Sequence, residues 1–329
     1  MQNETLLKRS SGMGGIFNLK LKKEEEFLKK YGTLTAFLLL ILLNVFITPN
    51  FADISTFWNL VIQSVNVMLI ALGMTVVIAT GGIDISVGSV MAVSSIVLAK
   101  LISYNIFVAI IAAILVSVLL GSFNGFVVSY FGIQPIIVTL SMMITLRGVA
   151  QVINSGRILN FNVPEFSEIA YYRFFGEVPI QLFISVVFIF LILFLMKKMT
   201  FGRYVEATGD NKRAAQIAGV NTFKIIMLVY ILSAVMAGIA GILATARLSA
   251  SDMNNMGKLL ELDAIAAVAI GGTALSGGKA KVFNTAIGVL IMQLITTMIN
   301  MNDVMYSYSL LIKSAIIVGA VYIQKRSSK

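Results

Sequence analysis

Side chains that could do chemistry are scarce in this chain of 329 residues, which contains no His and no Cys. Their absence removes His-assisted hydrolysis, an intramembrane protease of the Ser–His type, thiol nucleophiles, disulfides, zinc sites, haem ligation by His and iron–sulfur clusters. The remaining residues offer no acid–base pair beside a nucleophile, so the chain is not expected to be an enzyme, and no metal-ligating spacing is seen. The stretch ending in Lys279 invites a phosphate-loop reading, but the spacing fails. A G-x-x-x-x-G-K-[ST] loop needs Gly at 273 and Ser or Thr at 280, and the chain has Thr273 and Ala280. No such loop occurs elsewhere, so any ATP that drives this protein, with its Mg, is expected on another chain.

Two glycine-rich breaks are more informative. One reads Gly81-Gly82-Ile83-Asp84-Ile85-Ser86-Val87-Gly88 and the other Gly271-Gly272-Thr273-Ala274-Leu275-Ser276-Gly277-Gly278. Both fit G-G-x-x-apolar-S-x-G, offset by 190 positions. Glycine reaches backbone shapes closed to other residues. Helix breaks at membrane depth survive where protein or a water-filled cavity receives the freed backbone groups, and paired interruptions in two halves point to a transport pathway. The alternative is two tight interhelical turns with chance similarity. Asp84 or Ser86 could also simply cap a helix through 87–101.

The elements that must position these residues follow from composition. The chain is 58% apolar and 12% charged, against roughly 45–50% and about 25% in soluble domains. The surplus lies in long runs, which implies an all-α polytopic transmembrane bundle. Apolar stretches predict about ten spans, with cores near 34–48, 60–79, 87–102, 107–130, 136–154, 180–196, 223–246, 262–275, 282–300 and 306–323. The eighth is short for a full crossing. With both termini cytoplasmic, 18 of the 25 Lys and Arg fall on the cytoplasmic side, as the positive-inside bias requires. The net charge of +10 therefore reads as membrane topology. No interleaving of basic and aromatic residues suggests nucleic acid.

This divides the chain into a charged cytoplasmic tail (1–33), a transmembrane domain (34–323) and a short cytoplasmic tail (324–329). No signal peptide is expected, since the first apolar core follows a long charged segment. Residues 19–30 predict a charged surface helix with Glu25–Lys29 and Glu26–Lys30 pairs, resting near lipid headgroups. The longest cytoplasmic connection, about 197–222, predicts a short helix over 212–218. Asp210 or Asn211 would cap it and Gly219 would stop it. Such a helix is too short to be stable alone, so it either docks in a partner's groove or lies back on its own bundle.

Three segments carry a resemblance. ALGMTVVIATGGIDISVGSV (71–90), FGRYVEATGDNKRAAQIAGVN (201–221) and ELDAIAAVAIGGTALSGGKA (261–280), with the Lys313 helix, resemble the ribose-type sugar permeases of bacterial ABC importers, over about residues 30–323. The resemblance implies an inner-membrane permease domain that dimerises with a second copy or a paralogue. It implies a partner ATPase and a periplasmic or lipid-anchored sugar-binding protein. It makes Gly202, Arg203, Glu206, Ala207, Gly209, Ala214, Ala215 and Gly219 the segment that couples to the ATPase. The chain departs from the ribose pattern at Asn284 and at 297–304, and SDMNNMGKLLELDAI (251–265) is more similar to the galactofuranose branch. Galactofuranose or a related aldose is therefore placed ahead of ribose.

Sugar hydroxyls suit neutral donors and acceptors, so Gln63, Asn66, Asn124, Thr139, Gln151, Asn154 and Gln293 are candidates for the path, as is Arg147 inside a span. Each could equally be interhelical glue, and Arg147 could pair with a carbonyl or an acid. Lys313, also mid-helix, has the same two readings. Ala234/Gly238 and Ala237/Gly241 predict close helix packing. The competing function, a secondary carrier driven by sodium or protons, is disfavoured by the missing His and by spans whose only acids, Asp84 and Asp263, sit at their ends.

Overall fold

A computed structural model describes residues 32–327; the expected surface helix at 19–30 lies outside them. With the eighth (262–275) running past its helix end into the second glycine turn, each of the ten apolar segments centres on a helix. These are α1 (Gly32–Ile47), α2 (Ile54–Ala79), α3 (Val87–Leu101), α4 (Ile106–Tyr130), α5 (Pro135–Ile153), α7 (Ile180–Lys198), α10 (Thr222–Leu248), α11 (Leu260–Ile270), α12 (Val282–Met301) and α13 (Tyr306–Ser327). The connections add α6 (Pro164–Tyr171), α8 (Thr200–Asp210), α9 (Lys212–Ile217) and four two-residue strands. Among the described residues six helices, α2, α4, α5, α7, α10 and α12, are long and apolar enough to cross a membrane. At 1.5 Å per residue, the 11 residues of α11 reach only about half of a ~30 Å hydrocarbon layer.

Local chemistry fixes where the helices start. Asn105 Oδ1 accepts from the N–H groups of Phe107 (2.9 Å) and Val108 (3.1 Å), capping α4. Asn221 caps α10 in the same way through Lys224 N–H. Pro135 opens α5 at a position where no amide hydrogen is needed.

Packing then sorts the helices. α2, α10 and α12 form the interior, with α10 lying against α2, α3 and α4. The seam between α4 and α10 is built from small residues. A Cβ at Gly121 would fall 2.7 Å from Ala234 Cβ, and one at Gly125 2.7 Å from Met227 Cα. The opposite face of α4 carries Phe107, Ile111, Leu115, Leu119 and Phe123, spaced four apart and all exposed. Small residues inward and large apolar residues outward is the inverse of a soluble helix, and is the pattern of helices that pack in lipid.

The connections collect at two ends. At one, β1 (Leu159–Asn160) pairs antiparallel with β4 (Ala250–Ser251), and β2 (Arg173–Phe174) with β3 (Val178–Pro179). At the other lie α8, α9 and both glycine turns.

The two turns share a helix stop, but in a different register from the one the sequence motif suggests. Gly81 N–H donates to Ile78 O and Gly82 N–H to Val77 O; Gly272 N–H donates to Ala269 O and Thr273 N–H to Val268 O. Gly81 and Gly272 both have φ +79°. Each is the left-handed residue just past a helix end, closed by the paired bonds of a Schellman motif. The equivalent residues are thus 81 and 272, 191 apart. Beyond the stop the turns diverge. The first enters α3 directly at Val87, whereas the second runs on to α12 at Val282. Ser86 and Ser276 are therefore not counterparts.

Candidate functional site

The second half of the 197–222 connection contains the expected short helix. Asn211, not Asp210, caps α9: its Oδ1 accepts from Ala214 N–H at 2.9 Å. Gly219 follows at φ +86°. The first half contains a helix that sequence reasoning missed. The signal for α8 was a small-and-apolar stripe, Gly202, Val205 and Thr208, all buried.

α8 is keyed into both glycine turns at its C-terminal end. A Cβ on Gly209 would overlap the carbonyl oxygen of Ala79, the last residue of α2, and lie 2.7 Å from Gly278 N. That same Ala79 oxygen accepts from Gly278 N–H at 2.9 Å. Glu206 Oε1 accepts from Ala280 N–H at 3.2 Å. Gly277, at φ +100°, abuts Gly209, since a Cβ there would stand 2.8 Å from Gly209 O. A Cβ on Gly81 would approach Ser276 O to 3.5 Å. The two glycine turns and the α8 terminus thus meet at one point, which only glycine backbone allows. Gly202 abuts the end of α7 at Met196.

α9 stands out from this joint. Ala215 is buried against the chain's own bundle, while Lys212, Arg213, Ala214, Gln216 and Ile217 are exposed, Ile217 at 83%. A helix of six residues thus presents a large apolar side chain to its surroundings.

The eight path candidates fall into three groups. Gln63 and Asn66 lie one turn apart on α2, and Gln293 Nε2 on α12 donates to Gln63 Oε1 at 3.2 Å. These three form a polar strip on an apolar wall. A second group holds a loop: Arg147 Nη1 donates to Met253 O (3.3 Å) and Met256 O (2.6 Å), so its partners are carbonyls. Gln151 Nε2 donates to Asn254 Oδ1 at 2.9 Å; Asn154 stays outside this loop, its Nδ2 donating to Arg157 O at 2.8 Å within its own turn. The loop that Arg147 and Gln151 hold meets the start of α3, where a Cβ on Gly88 would overlap Gly257 O.

The third group surrounds the first turn. Thr139 Oγ1 donates to Pro135 O (2.9 Å) and lies 3.2 Å from Ile83 O. Asn124 Nδ2 donates to Ser86 Oγ at 2.8 Å. Ser86 is the residue before α3, but its side chain does not cap the helix. It donates instead to Asp84 Oδ1 at 2.6 Å.

Lys313 finds a partner the sequence did not pair it with: its Nζ bonds both oxygens of Asp263, at 2.9 and 3.1 Å, joining α13 to α11. Among the described residues no three His, Cys, Asp or Glu side chains come together. The arrangement ties α8 to the end of α2 and to the 277–280 stretch that leads into α12.

A family profile described as the branched-chain amino acid transport system / permease component matches residues 56–321. The chain belongs to this permease family. The galactofuranose transporter permease protein of Escherichia coli K12 is 36% identical to this permease over 314 residues, covering 89% of each chain. The ribose import permease protein of the same strain is 35% identical, over 91% of this permease and 95% of its own length. The fructose import permease protein of Bifidobacterium longum is 36% identical over 80% of this permease and 78% of its own length. No solved structure matches it. The family title names amino acids, while these relatives are named for sugars.

Proposed function

We propose that this permease forms the membrane path of a bacterial ABC importer for a monosaccharide, with ATP hydrolysed on a separate subunit. The observation that carries the reading is the joint between α8 and the two glycine turns. A partner pulling on α9 would move α8, and α8 bears directly on the end of α2 and on the 277–280 stretch that leads into α12. The sugar names of the relatives support a monosaccharide, and two of them, galactofuranose and ribose, are the substrates the sequence favours.

In this reading ten helices lie in the inner membrane with both termini cytoplasmic, and α9 faces the cytoplasm. Lys197, Lys198, Arg203, Lys212, Arg213, Lys279 and Lys281 surround the same end of the bundle, which fits the positive-inside bias. The strand pairs face the periplasm, where a sugar-binding protein delivers substrate. A second permease chain completes the translocation unit. Gln63, Asn66 and Gln293 are the side chains proposed to meet sugar hydroxyls. Arg147 and Gln151 position the 252–257 loop instead, and Asn154 closes the turn after α5.

The test is uptake in proteoliposomes containing the permease, its ATPase and its binding protein. Ile217→Asp places a charge on the exposed face of α9 and should lower ATP-driven uptake roughly tenfold or more, as loss of an interface anchor does, with the bundle still folded. Uptake unchanged by Ile217→Asp would remove the docking role. Ala215 is the poorer probe, because its side chain faces inward. Sugar accumulation driven by an ion gradient, with the purified chain alone, would replace this reading with a secondary carrier.

A further inference from the structure

Where α2 gives way to α3, the chain buries an acid with no base beside it. Asp84 is 1% exposed. Among the described residues the ion pair within 4.0 Å is Lys313 with Asp263, so no cationic side chain is paired with Asp84. Its carboxylate accepts from Ser86 N–H at 3.0 Å, Ser86 Oγ at 2.6 Å and Ser233 Oγ at 3.1 Å. A carboxylate has about four lone-pair sites, so one remains open.

Two more buried oxygens beside this carboxylate have no partner: Asn124 Oδ1 and Tyr230 Oη. Both residues are fully enclosed. The Asn124 amide is linked to Asp84 through Ser86, since its nitrogen donates to the same hydroxyl that donates to the carboxylate. Tyr230 stands one helical turn before Ser233 on α10. Its hydroxyl lies against Gly82, 2.8 Å from where a Cβ there would sit. The break between α2 and α3, α4 and α10 therefore each bring oxygen to one enclosed place.

The group that completes this place must supply positive charge and satisfy several acceptors. An unpaired buried charge costs several kcal/mol. A water brings donors and no charge. A proton on Asp84 cancels the charge and provides a donor for Asn124 Oδ1, while the Tyr230 hydroxyl carries a proton of its own; this is the alternative that the sodium dependence below separates. A metal cation meets both demands. All the available ligands are hard oxygens, which excludes soft metals. One carboxylate balances one charge, whereas divalent sites of oxygen ligands usually gather more carboxylates.

We propose that Asp84, Asn124 Oδ1 and Tyr230 Oη, with the hydroxyls of Ser86 and Ser233, form a buried site for a single sodium-class monovalent cation. The cation would fasten the α2–α3 break to α4 and α10. With every ligand residue enclosed, its role is to hold the break in shape, separate from any transported ion. The proposal does not rest on the transport reading, since its readout is the stability of the chain alone.

The experiment is thermal unfolding of the purified full chain at constant pH and ionic strength, in sodium chloride and in choline chloride. A saturable rise of about 5 °C is expected at a hundredfold excess of sodium over its dissociation constant. Asp84→Asn should abolish the rise. Tyr230→Phe, which removes a single oxygen, should shift the sodium midpoint roughly tenfold upward, and it keeps the test decisive if Asp84→Asn does not fold. Identical unfolding in sodium and choline would overturn the proposal. So would a midpoint that follows pH and ignores sodium, which would identify a proton, or a Tyr230→Phe response equal to that of the unaltered chain.

Discussion

Gly209 shows how much a single hydrogen in place of a methyl can decide. Its Cα hydrogen faces the Ala79 carbonyl and Gly278 N, so a side chain would push α8 off the end of α2. Overpacking of this kind costs about 1–3 kcal/mol. Gly209→Ala should therefore lower the unfolding temperature of the purified chain. Gly148→Ala supplies the control. Gly148 is helical in α5 and has nothing within 4 Å of a Cβ, so the change should be neutral or stabilising by up to ~1 kcal/mol. If both variants unfold at the same temperature, the close approach at Gly209 has no energetic weight. Arg147 acts by a different route. Its guanidinium reaches two carbonyls of one loop, a forked geometry that a single ammonium does not reproduce. Arg147→Lys should increase protease cleavage within 252–257, and an unaltered digestion pattern would argue against the clamp.

Two seams carry the testable weight among the elements. α4 and α10 approach closely because Gly121 and Gly125 face Ala234 and the backbone around Met227. The sequence showed one side of this seam, Ala234 and Gly238 on α10, and the structure supplies the α4 side; Gly241 of the same ladder meets α3 instead, at Met91 O. Gly121→Val should separate the two helices and destabilise the fold by about 1–3 kcal/mol, seen as a lower unfolding midpoint. The second seam is the Lys313–Asp263 pair between α13 and α11, with side chains 18% and 16% exposed. Each single neutral substitution strands the other charge in a poorly solvated place. A double-mutant cycle with Lys313→Met and Asp263→Leu should return a coupling of ~1–3 kcal/mol. Additive effects of the two changes would mean that the pair contributes no stability.

Orientation is a property of the whole molecule, and the absence of Cys makes it simple to probe, because any introduced thiol is unique. Glu177→Cys, between β2 and β3, should react with a membrane-impermeant thiol reagent added outside intact cells. Lys212→Cys, on α9, should react only after the membrane is opened. Labelling of both from the same side would undo the proposed topology. The same opposition of ends organises the proposed mechanism, with strand pairs at one end, the α8 joint at the other, and α2, α10 and α12 running between them.

What the sequence determined by itself was whatever depends on neighbours along the chain. Apolar run lengths placed ten helices, Asp210 or Asn211 and Gly219 bounded α9, and the missing His and Cys excluded whole classes of chemistry. α8 escaped because its buried stripe is short and built from Gly, Val and Thr, too weakly apolar to stand out from a loop. The turn register escaped as well. Doubled glycines do not reveal which one takes the left-handed conformation, and only the helix end settled that it is Gly81 and Gly272. Everything that joins distant residues was left to the tertiary structure. Arg147 reaches a loop more than 100 positions away, and Lys313 meets Asp263 across 50. Gly209 is shaped for Ala79, and Ser233 and Asn124 converge on Asp84. In a bundle whose helices present similar apolar surfaces to one another, periodicity marks helices without ranking their partners. Close approach of small residues and the need to satisfy each buried polar group select those partners, and both conditions exist only once the chain has packed.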